Sequence, residues 1–111
     1  MTPLKKQNKL RQLILLRVNM GRESIVTPEL QKKYIERRKA ELTQMEDAIA
    51  NKDFDSLSVF GHNMKGNAES YGFEDLGLMG AKLEQAAKSE ELDKIKSLYQ
   101  NIKSFILEQK V

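Results

Sequence analysis

From Leu92 onward the apolar residues keep a helical period almost without exception: Leu92, Ile95, Leu98, Tyr99, Ile102, Phe105 and Ile106. At about 100° per residue they share one stripe. A stripe of that width on a single helix has to be covered by other elements. The same period recurs in three earlier segments. One runs through Leu30, Tyr34, Leu42, Met45 and Ile49, with Arg38 inside the stripe. A second runs through Leu57, Phe60, Gly61, Met64, Ala68 and Tyr71, and a third through Leu76, Met79, Gly80, Leu83, Ala86 and Ala87. With short breaks between them, four such helices predict an all-α fold, an antiparallel up-down four-helix bundle.

The breaks carry chemical signals of their own. Thr27-Pro28-Glu29 offers a capping oxygen, a proline suited to the first helical position and an acid at the positive end of the dipole. Asp53 is placed to cap a helix from Phe54 to about Ser70. Gly72 suits a left-handed helix end, and Ser89, followed by Glu90 and Glu91, reads as the cap of the last helix. Gly80 lies on an apolar face, where its helix-interior cost of about 1 kcal/mol is offset if a neighbouring helix comes close. Arg38 is expected to pack its stem and extend its guanidinium to water; proximity to an anion site is the alternative.

The 111 residues fit one domain. The absence of cysteine excludes disulfides and thiolate chemistry, and a single histidine excludes the common zinc sites. The net charge of +3 is unevenly spread. Residues 1–22 hold six cations and no acid, and the remainder holds sixteen acids against thirteen cations. The basicity therefore belongs to an extension, residues 1–23, and the bundle occupies 24–111. Leu10, Leu13, Leu16 and Met20 give that extension the pattern of a possible additional N-terminal helix. Its apolar run is far short of the roughly 20 residues of a membrane span and lacks the form of a secretory signal. The few aromatics and the absence of tryptophan argue against a stacking platform for single-stranded nucleic acid, and no nucleic-acid partner is expected. A cytoplasmic monomer is the expectation.

The chemistry-bearing residues lie off the second stripe. His62, Lys65, Gly66 and Glu69 turn toward solvent if the segment is helical. A neutral imidazole is a nucleophile near pH 7, its ordinary pKa being about 6.5. Lys65, one turn on, would attract a phosphate, with Glu69 the expected partner of its ammonium. Gly66 leaves the surface beside the ring open. The spacing alone leaves both a solvated histidine and a phosphoryl acceptor possible.

His62-Asn-Met-Lys65-Gly66, followed by Tyr71-Gly72-Phe73 and Leu76, resembles the histidine-containing phosphotransfer domain of bacterial multistep two-component relays. The likeness extends through Tyr34–Lys39, Asp53-Phe54 and Leu83–Ala87, about residues 24–106 in all. It implies that His62 is phosphorylated, that Lys65 interacts with the phosphoryl group and that Gly66 gives a receiver domain access. Asn67 stands where many members have serine. The protein is then expected to accept a phosphoryl group from a receiver-domain aspartyl phosphate and pass it to another receiver aspartate. It would be a carrier rather than an enzyme, with no cofactor of its own and Mg2+ on the receiver. Response-regulator receivers and a hybrid sensor histidine kinase are the expected partners. No Gly-x-x-x-x-Gly-Lys-Ser/Thr loop is present to cradle ATP. The alternatives are a helical interaction module without chemistry, or the C-terminal fragment of a hybrid kinase.

Overall fold

The computed structural model describes residues 26–109. The proposed helix in residues 1–23 lies outside them. Four helices follow in order: α1 (Pro28–Ala50), α2 (Phe54–Asn67), α3 (Glu74–Lys88) and α4 (Leu92–Glu108), with a 3-10 turn at Glu69–Tyr71 between α2 and α3. Each packs on its neighbour in sequence and α4 returns to α1, so the four make a bundle.

The expected caps hold at two starts. Thr27 Oγ1 accepts from the Leu30 amide at 3.1 Å, and Asp53 accepts from the Ser56 amide at 3.1 Å and the Ser56 hydroxyl at 2.7 Å. The last helix differs from its expectation. Ser89 closes α3 as its C-cap, Glu90 turns left-handed at φ 55° and α4 begins only at Leu92. The physical reason lies in backbone pairing. The Glu90 amide donates to Ala87 O and the Glu91 amide to Ala86 O, satisfying the last carbonyls of α3. The same pair of bonds closes α1 around Lys52 (φ 53°) and the 3-10 turn around Gly72 (φ 88°). The second helix is accordingly shorter than its expected reach to Ser70.

The core follows the stripes closely. Ile35, Met45, Leu57, Met64, Leu76, Leu83, Ile95, Ile102 and Ile106 are the largest fully buried side chains. Phe60, Tyr71, Met79 and Phe105 are half-buried against them. Two α1 positions depart from expectation. Leu30, in the first turn, is 39% exposed, while Ile35, outside the expected stripe, is 1% exposed. The buried face of α1 is wider than one residue per turn and includes the position beside Tyr34.

Arg38 also departs from its expectation. Its side chain is 8% exposed, and its guanidinium pairs with Glu41 at 2.9 Å and lies 4.7 Å from the Tyr34 ring centroid instead of reaching water. None of these contacts involves His62 or Lys65. Tyr34 stacks on Tyr71 and Phe73 and donates from its hydroxyl to Asn67 Oδ1 at 2.6 Å. Asn67 thus ties the end of α2 to α1.

One crossing positions everything that follows. A Cβ on Gly61 would stand 2.5 Å from the Glu84 amide nitrogen and 2.6 Å from Gly80 O. A Cβ on Gly80 would stand 2.6 Å from the Met64 Cβ and 2.9 Å from Gly61 O. The two glycines let α2 and α3 approach backbone to backbone. Gly61 lies against Glu84, Met64 against Gly80 and Ala68 near Gly77, so this pair of helices runs in opposite directions.

Candidate functional site

The tight crossing brings the middle of α3 to the outward edge of α2. There the Glu84 carboxylate gathers three nitrogen groups. Glu84 Oε2 lies 3.1 Å from His62 Nδ1 and 3.3 Å from Lys88 Nζ, and Oε1 lies 2.8 Å from Lys65 Nζ. Its side chain is 11% exposed, whereas those of His62, Lys65 and Lys88 are 65%, 46% and 62% exposed. One nearly buried acid therefore holds three surface groups from below. The Lys65 ammonium, helped by His62 and Lys88, holds the Glu84 carboxyl at about 2 despite its partial burial.

The ionised carboxylate fixes the chemistry of the ring. A carboxylate only accepts hydrogen bonds, so Nδ1 is assigned as the nitrogen bearing the proton. In the neutral ring Nε2 then carries the lone pair, on a side chain that is mostly in solvent. The acid thus selects the tautomer and aims the other nitrogen outward. With the imidazole neutral, one acid and two ammonium groups leave a net positive charge at the cluster. An incoming phosphoryl group would meet that charge.

His62 and Lys65 both face outward, as expected, and Gly66 beside them is open, since an added Cβ would meet nothing within 4 Å. The expected partner of Lys65 is corrected. Glu69 lies in the 3-10 turn after α2 and makes no ion pair with Lys65 among the described residues; Glu84 takes that place at 2.8 Å. Sequence reasoning did not place Glu84 or Lys88 in the site, although Glu84 lies in the resembling stretch Leu83–Ala87. The usable signal was Gly80. If that glycine marks a close crossing, the residue one turn further along α3 must lie beside the outward edge of α2.

The model of the Hpt domain family matches residues 29–105, from the first turn of α1 into the last turn of α4. The chain belongs to the Hpt domain family. No curated protein and no solved structure matches it. Hpt domains act in phosphorelays as phosphocarriers rather than as catalysts, and their partners there are receiver domains. The match reaches all four helices of this Hpt domain and includes the crossing that sets Glu84 under His62. Among the described residues, no helix is long and apolar enough to cross a membrane.

Proposed function

We propose that this Hpt domain takes a phosphoryl group on His62 Nε2 from the aspartyl phosphate of a receiver domain and returns it to the aspartate of another. The Nδ1 contact with Glu84 is the observation that carries this reading, because it leaves Nε2 as the nucleophile. In the forward step the Nε2 lone pair forms a bond to phosphorus. The bond from phosphorus to the aspartyl oxygen breaks, and its electron pair stays on the released carboxylate. The Nδ1 proton remains in place, so the ring becomes cationic and Glu84 stabilises it. That retained proton also keeps the ring a good leaving group for the reverse step. Lys65 supplies positive charge to the phosphoryl oxygens, which is what a loosely bonded transition state requires. Gly66 leaves room for the receiver's active site.

Mg2+ and the carboxylates that hold it belong to the receiver, and a hybrid sensor histidine kinase is the natural source of the first aspartyl phosphate. The domain works as a monomer in the cytoplasm, where such receivers are found. A two-receiver chase tests the hand-on. Label acquired from one charged receiver should leave the Hpt domain when a second, uncharged receiver is added. Label that stays on the domain with every active receiver tried contradicts a carrier role.

A further inference from the structure

Lys88 is the last residue of α3, and its ammonium shares Oε2 of Glu84 with the ring nitrogen of His62. Lys65 occupies the other oxygen, at 2.8 Å. The two lysines are therefore not equivalent. Lys88 is one carboxylate oxygen away from the imidazole, is held more loosely at 3.3 Å and is the more exposed of the two. It is also dispensable to Glu84. With the Lys88 ammonium gone, Oε1 still accepts from Lys65 and Oε2 still accepts from His62 Nδ1–H. The nearly buried carboxylate would keep a partner on each oxygen, and no charge would be stranded.

We propose that Lys88 is a second phosphoryl-binding cation. It rests on Glu84 while His62 is free and transfers its ammonium to the phosphoryl oxygens once His62 carries the group. No covalent bond changes in this step. One charge-assisted hydrogen bond is exchanged for another, while Lys65 and the ring keep Glu84 in place. The inference rests on phosphorylation of His62, and it adds a cation from α3, beside Glu84, to the phosphoryl-binding groups of α2.

The test uses the whole chain loaded with phosphoramidate, a small-molecule donor that needs no receiver, followed by side-chain ammonium nitrogen NMR and receiver transfer rates. On loading, the Lys88 Nζ signal should shift strongly, and Lys88→Ala should slow transfer by about tenfold, the worth of one charge-assisted hydrogen bond. Lys88→Arg should restore most of the rate, and the thermal midpoint of Lys88→Ala should stay near that of wild type. A Lys88 signal unmoved by loading, with transfer by Lys88→Ala within twofold of wild type, overturns the proposal while leaving His62 as the carrier. If wild type takes no label on His62, the carrier reading falls and the role of Lys88 with it.

Discussion

At the residue scale the decisive side chain is Glu84. Its segment, Leu83–Ala87, shares in the family likeness, but no spacing singles Glu84 out, because it sits beside the α3 stripe as one more acid among the helix-forming residues. Its role depends on a contact across 22 positions with His62. Two outcomes follow from that contact. In Glu84→Ala, ring nitrogen NMR should show His62 losing its preference for the Nδ1–H tautomer and adopting the Nε2–H form favoured by free imidazole. Retention of the Nδ1–H form would mean that Glu84 does not set it. The pH dependence follows from the folded carboxyl being held at about 2 against an ordinary value of 4.5. A group whose folded pKa is lowered adds stability above its unfolded pKa and loses that stability as pH falls through its folded pKa. Denaturant midpoints of wild type and Glu84→Gln should therefore differ by a constant amount above about pH 4.5. The gap should close as pH falls from there toward about 2. Arg38 is the opposite lesson. Its place in an apolar stripe was visible, but its pairing with Glu41 and its stacking on Tyr34 needed the fold.

At the element scale the site depends on how closely α2 and α3 cross. Gly61 and Gly66 sit five positions apart on one helix and make opposite demands. Alanine at 61 would drive its Cβ into the backbone of Glu84 and Gly80, so the helices must separate, at a cost of about 1–3 kcal/mol. Alanine at 66 meets nothing within 4 Å and should gain up to about 1 kcal/mol from helix propensity. Thermal unfolding should thus lower the midpoint of Gly61→Ala and preserve or raise that of Gly66→Ala. Phosphotransfer should fall in Gly61→Ala as Glu84 is pulled from His62; an unchanged midpoint there would mean the crossing is not tight. Most of this scale was legible beforehand. The four periodic stripes, the caps at Thr27 and Asp53, and the left-handed turn at Gly72 all stand in the structure. The start of α4 was misread because Ser89-Glu-Glu carries a good capping signature. The α3 carbonyls instead recruited the Glu90 and Glu91 amides, with a glutamate where glycine is the usual signal. Lys52 ends α1 in the same way, equally unannounced by residue type.

At the scale of the whole molecule the bundle is a rigid mount for an imidazole. Fully buried Leu57 and Met64 fix one face of α2, and the glycine crossing fixes its distance from α3. The outward edge is left to His62, Lys65 and Gly66. The outward placement of His62 and Lys65 and the helical fold class could be read from the sequence because periodicity separates core from surface on a helix. The acid beneath them could not, because periodicity says nothing about which two helices touch or where. His62→Gln is the most direct test of the account, since a 65% exposed ring can be replaced without disturbing the core. The protein is incubated with a receiver domain charged by a labelled small-molecule phosphodonor, and the label is tested for stability in acid and base. The account predicts acid-labile, base-stable label on wild type and none on a folded His62→Gln. Label that persists in His62→Gln, or wild type that stays unlabelled with several active receivers, would contradict it.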